Sequence, residues 1–160
     1  MSNLKQLLTK PLPEIRSGAV VFILIVALIG FADSAYLAFE HFRGVIPPCT
    51  IVEGCEDVLT SKYSAVAGIP VSLLGAAYYF LIALGAFIYL ESKHAATLMA
   101  HHSEILKWTL LATVLGFAAS LWFVYIQVFT IGSYCLYCLL SAATSTILFV
   151  TATEILKGHE

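Results

Sequence analysis

WTLLATVLGFAASLWFVYIQVFTIGSYCLYCLLSAATSTILFVTAT (Trp108–Thr153) contains no Asp, Glu, Lys, Arg or His. As a single helix rising about 1.5 Å per residue it would extend roughly 70 Å, whereas the hydrocarbon core of a bilayer is about 30 Å thick. The run must therefore fold back and cross twice. TIGSY (Thr130–Tyr134) holds the only good turn signal inside it, centred on Gly132. The returning crossing opens with a Cys-x-x-Cys pair, Cys135 and Cys138.

Working outward, two more apolar stretches are long enough to span. GAVVFILIVALIGFADSAYLAF (Gly18–Phe39) carries one charge, Asp33, and AVAGIPVSLLGAAYYFLIALGAFIYL (Ala65–Leu90) carries none. Pro70 suits a first helical turn, where a missing N–H costs nothing. The composition agrees: 60% of the 160 residues are hydrophobic and 11% charged, against about 25% charged in soluble domains. The reading is an all-α, integral membrane four-helix bundle in one domain (1–160), with spans near 18–39, 67–90, 108–130 and 134–153. The loop near 40–66 carries a short helix. ADSA (Ala32–Ala35) resembles a signal-peptide cleavage site, but the apolar pattern continues through YLAF, which favours a retained span.

Lys and Arg set the orientation. With the N-terminus inside, the inner segments hold Lys5, Lys10, Arg16, Lys93, Lys107 and Lys157, and the outer segments only Arg43 and Lys62. Both termini are expected to be cytoplasmic in a plasma (inner) membrane. All four cysteines, Cys49, Cys55, Cys135 and Cys138, then face the periplasmic or extracellular side, where disulfide chemistry is permitted. A net charge of −2 without a basic run gives nucleic acid no handle.

Cysteines three apart on a helix lie close to one face, and a helix N-terminus favours thiolate, the species that attacks disulfides. The second pair, in CTIVEGC (Cys49–Cys55), lies in a loop opened by Pro47 and Pro48 and containing Gly54. An exposed, mobile pair beside a membrane-embedded one is the layout of an electron relay. The blander alternatives are a static loop disulfide and small packing residues in the helix. A zinc site normally pairs two short Cys-x(2–4)-Cys units and only one is present, so no metal is expected.

The ordered features FADSAYLAFEH (Phe31–His41), the loop pair, EDVLTSKYSAVAGIPVSLLG (Glu56–Gly75) and YCLYCL (Tyr134–Leu139) resemble the vitamin K epoxide reductase family, in its bacterial and archaeal disulfide-forming branch. The other quinone-coupled thiol oxidase family places its two pairs in the opposite order. The resemblance implies a quinone-dependent thiol oxidase supporting disulfide bond formation. Cys49 would exchange with a thioredoxin-like (DsbA-like) partner, Cys55 would pass reducing equivalents to Cys135, and Cys138 would reduce a quinone of ubiquinone or menaquinone type from the membrane pool. Ser61 matches a hydroxyl position near that site; a helix-capping serine is the plain alternative.

Two departures stand out. Many members continue into a thioredoxin-like domain, whereas this sequence ends at Glu160, so a separate partner is expected. Animal members carry a tyrosine four positions after the last cysteine, and here that position is Ala142. The alternatives are a quinone epoxide reductase of the same fold or a non-catalytic metal-binding membrane module.

Asp33, an ionisable group near the end of a span, raises a proton-path reading, against a carboxylate bonded to backbone or loop groups. His94, His101 and His102 read as a solvated loop. Tyr78, Tyr79, Trp108, Trp122 and Tyr125 suit either a quinone pocket or interfacial belts and packing. The small residues of LGFAAS (Leu115–Ser120) suit close helix contacts.

Overall fold

The computed structural model describes residues 17–49, 54–92 and 102–157. Lys5, Lys10, Arg16, Lys93, His94 and His101 lie outside them, as does the side chain of His102. The chain forms α1 (Ser17–Arg43), a short α2 (Cys55–Leu59), a hairpin of β1 (Ala65–Val66) and β2 (Ile69–Pro70), α3 (Val71–Ser92), α4 (His102–Ile126) and α5 (Leu136–Lys157). Among the described residues four helices are long and apolar enough to cross a membrane, which gives the expected all-α, multi-pass bundle with its short helix in the segment between α1 and α3.

Local chemistry explains where the elements stop. Gly44, at φ 66°, follows the last residue of α1, and Gly44 N–H and Val45 N–H donate to the carbonyls of His41 and Glu40, both at 3.1 Å. This is the paired closure of a Schellman motif. The β-hairpin pairs Ala65 with Pro70 and Val66 with Ile69 around Ala67 and Gly68, both at positive φ, as a two-residue turn requires. Pro70 thus ends a strand one residue before α3 rather than lying within its first turn. At the other connection α4 widens into a π-turn, Gln127–Ile131, which Gly132 terminates in the left-handed conformation. Gly132 N–H donates to Gln127 O at 2.9 Å.

Small residues let the helices approach, as packing in lipid requires. A Cβ on Gly30 of α1 would overlap the Tyr79 ring of α3, and one on Gly85 of α3 would overlap Thr109 of α4. Gly116, in the small-residue stretch of α4, makes room for the Tyr78 hydroxyl. Phe117 of α4 stacks on Phe149 of α5 at 4.4 Å between centroids, 3° from parallel. Tyr79 Oη donates to Ser141 O at 2.6 Å and lies 2.9 Å from Thr144 Oγ1, so a phenol buried in the bundle is satisfied by α5. Of the aromatics weighed above, Tyr79 is turned inward and Tyr78 is half-buried, while Trp108, Trp122 and Tyr125 are exposed on the outer face.

Candidate functional site

The four cysteines meet at one end of the bundle. Cys55 and Cys135, 2% and 0% exposed, share one buried cluster with Val58, and Cys49, Leu59, Ile131 and Cys138 pack against it. Cys49 and Cys55 are joined as a disulfide with Cα atoms 6.2 Å apart, within the usual range. Cys135 and Cys138 are free thiols. The loop pair therefore does not stand exposed as the sequence suggested: α2 carries Cys55 down onto the helix pair, and Cys49 is half-buried.

Gly54, at φ 126°, makes this docking feasible, because a Cβ there would meet Ser133 Cβ at 3.0 Å and Tyr134 N at 3.2 Å. Only glycine suits both that conformation and that approach. Two side chains clasp the loop onto the turn. Ser133 Oγ donates to Asp57 Oδ2 at 2.8 Å, and Tyr137 Oη donates to Pro48 O at 3.3 Å. The Tyr137 ring also packs against Tyr36 of α1, 5.8 Å between centroids.

Cys135 is the N-cap of α5: its carbonyl accepts Leu139 N–H at 3.0 Å. Its own N–H donates to Gln127 Oε1 at 3.0 Å, a buried bond. The Cys138 thiol and then the N–H groups of Cys138 and Tyr137 donate toward the Cys135 sulfur, and together they draw its pKa down to about 7 against burial and the Asp33 charge. Cys135 is thus the sulfur poised as thiolate, as a helix N-terminus favours. Asp33 Oδ2 is buried without a hydrogen-bond partner among the described residues, so for that oxygen the expected bond to backbone or loop groups is not made.

Cys138 opens on a cavity of about 730 Å³ between the helices, a size typical of small-molecule sites. Its wall is mainly apolar, with Leu37, Leu74, Phe123, Ile131 and Ala142, and is broken by a few polar groups including Gln127 and Ser141. A flat apolar ring with one or two carbonyl oxygens fits such a wall, so a quinone-type substrate is compatible with the residues present. Ser61 also lines the cavity, but its hydroxyl serves a local turn, donating to Val58 O at 2.8 Å and accepting Tyr63 N–H at 3.3 Å. Sequence reasoning missed Gln127, although it is the only carboxamide in the uncharged run. It missed Gly54 and Asp57 as docking residues because their partners are distant in sequence.

Two converging cysteine pairs, one disulfide and one dithiol, beside an apolar membrane cavity define a thiol–disulfide redox centre. The vitamin K epoxide reductase family matches residues 21–153, and the chain belongs to that family. Among curated proteins it is similar to the thiol-disulfide oxidoreductase LTO1 of Arabidopsis thaliana, 31% identical over 130 residues that make up 80% of this chain and 34% of that protein. The chain thus spans about a third of the relative's length. It is an oxidoreductase of the membrane with a cysteine redox centre, and its family implies quinone-linked chemistry.

Proposed function

We propose that the chain passes an electron pair from an extracytoplasmic thiol protein through Cys49 and Cys55 to Cys135 and Cys138, and from these to a quinone-type ring in the cavity. The observation that carries this reading is the burial of Cys55 against Cys135 while Cys138 alone of the helix pair lines the cavity. A partner thiolate attacks the loop disulfide at Cys49, forming a partner–Cys49 mixed disulfide and leaving Cys55 as thiolate. The partner's second thiolate then displaces Cys49, so that the partner leaves as a disulfide and Cys49 is a free thiolate. Cys55 then attacks an oxidised Cys135–Cys138 bond at Cys135, and Cys49 resolves the Cys55–Cys135 bond. This restores the loop disulfide and leaves the helix pair as dithiol, the arrangement described here. When the dithiol reduces a quinone, one S–S bond forms, two S–H bonds break and two O–H bonds form.

The family's description names epoxide reduction, and this backs the epoxide alternative more directly than the thiol-oxidase reading. In that alternative the same dithiol removes the epoxide oxygen as water and yields the quinone. The relative's name, thiol-disulfide oxidoreductase, supports the thiol exchange that both readings share. Ala142 on the cavity wall gives an epoxide oxygen no hydroxyl at that position, and on this ground we place quinone reduction first. The chain is read as one family domain of the disulfide-forming branch, with both termini cytoplasmic, Cys49 meeting a thioredoxin-like partner and the membrane quinone pool as acceptor.

Product analysis with quinone and quinone epoxide side by side, driven by a reduced thioredoxin-like protein, tests the choice. Quinol from quinone at the higher rate supports the oxidase, whereas turnover confined to the epoxide overturns it. In a variant lacking Cys55, Cys49 is a free thiol and should be trapped as an adduct when it attacks the disulfide of the oxidised partner, while removing Cys138 should trap a Cys55–Cys135 bond. Loop variants that still reduce quinone from a protein dithiol at full rate would show the relay to be wrong.

A further inference from the structure

Gln127 is 2% exposed, lines the cavity with Cys138 and sits in the π-turn just before the cysteine pair. Its Oε1 accepts the Cys135 N–H. Because that partner is a donor, it fixes which end of the amide is oxygen. The Nε2 group has no acceptor among the described residues, and with the oxygen turned to Cys135 it is the Nε2 group that Gln127 presents to the cavity. A ligand oxygen in this mainly apolar cavity would give that donor an acceptor. Tyr78 Oη also lines the cavity and is buried without a hydrogen-bond partner among the described residues, but it is Gln127 that is bonded to the Cys135 backbone. Ser61 uses its hydroxyl locally, Tyr79 Oη is engaged with Ser141 and Thr144, and Ala142 offers nothing.

We propose that the Gln127 carboxamide donates an N–H to a carbonyl oxygen of the ring substrate, orienting it against Cys138 and stabilising the negative charge that develops on that oxygen during reduction. The assignment rests on the quinone-type substrate proposed above. The amide proton stays on nitrogen, and the electron pair and the protons of the new O–H bonds come from the dithiol. Through its two ends the same amide fixes the backbone of Cys135 and the ring, so thiol pair and substrate are held in one register.

Gln127→Glu tests this, because its carboxylate still accepts the Cys135 N–H but donates nothing. The full chain in detergent, reduced with excess dithiol, is mixed with a short-chain naphthoquinone and quinol formation is followed from pH 6 to 8. The variant is expected to be slower by about a hundredfold at pH 8, with the gap narrowing toward pH 6 as a protonated carboxyl supplies a donor. Asp33 and His41 are present in both proteins, whereas the new carboxylate also raises the Cys135 pKa, so a thiolate titration of the variant is run alongside and its share of the gap is divided out. Reduction of the Cys49–Cys55 disulfide by dithiol should stay within about twofold, which shows an intact fold.

Equal rates at every pH, or a deficit that does not change with pH, would overturn the role. Should the glutamate variant fail to fold, Gln127→Met serves. Its affinity for the quinone should drop about tenfold, with little change for 2-methylnaphthalene, which lacks the oxygens; equal losses for both ligands would overturn the role. The wild-type protein reports separately on the substrate reading. If it reduces only the epoxide, that reading fails, and the comparison with Gln127→Glu on the epoxide, which keeps its carbonyls, still decides the role of the amide.

Discussion

At Cys135 three donors act on one sulfur, the Cys138 thiol foremost, and the result is a pKa drawn down to about 7. An ordinary cysteine titrates near roughly 8.5. Cys135 is therefore thiol below pH 7 and thiolate above it, so its nucleophilic reactivity rises with pH and is half developed near 7. A thiolate-absorbance titration of the wild-type protein, read against Cys135→Ala, should show that midpoint. In Cys138→Ala with Cys49 and Cys55 also replaced by alanine, so that no disulfide takes up Cys135, the largest cause of the shift is gone and the midpoint should move up toward the ordinary value. Gly54 carries the second prediction at this scale. Gly54→Ala forces a left-handed backbone and a contact with Ser133 at 3.0 Å, which should destabilise the docked loop by about 1–3 kcal/mol. Measured as trapping of Cys55–Cys135 in a Cys138→Ala background, the yield should fall; an unchanged yield would mean that Gly54 does not position the loop.

Among the elements, hydropathy and the absence of charge settled the four helices, because lipid demands long uninterrupted apolar segments and little else produces them. What hydropathy could not show was the detail at the connections. The uncharged run signalled a reversal through Gly132, but nothing in TIGSY announced that α4 would widen into a π-turn, since a wider turn depends on which partners its freed backbone groups find. Pro70 suited a helix start by its missing N–H and instead closes a two-residue hairpin, because Ala67 and Gly68 supply the positive φ values that tighten it. Ala67 carries the conformational cost there, so Ala67→Gly should leave the fold unchanged and raise thermal stability slightly, by up to about 1 kcal/mol. Gly132→Ala, at φ 73°, should lower it by about 1 kcal/mol. Thermal unfolding in detergent followed by circular dichroism checks both.

On the scale of the whole molecule, the types and order of the cysteines were legible in the sequence, and so was their membership of a redox pattern. Their burial was not. A loop opened by two prolines reads as mobile, yet Asp57, Tyr137 and the bare backbone of Gly54 hold it on the turn before α5, through partners up to 89 positions away. Such pairs leave no periodic trace in a chain. Removing the charged half of the clasp with Asp57→Ala should leave the four helices intact and slow electron transfer from loop to helix pair several-fold. Rapid-quench measurement of Cys55–Cys135 formation would report this, and a rate equal to wild type would show that Asp57 is dispensable for docking.

Two sulfur pairs in series also give the chain a capacity larger than one turnover demands. Each pair holds two electrons, so a protein reduced at all four cysteines and then separated from reductant carries four. On the proposed relay these leave in two stages. The pair at the cavity discharges at once, and the pair on the loop follows only after sulfur exchange across the Cys55–Cys135 contact. Mixed with excess quinone, one chain should release two equivalents of quinol in a biphasic time course, and the slower phase is the rate at which the loop hands its load inward.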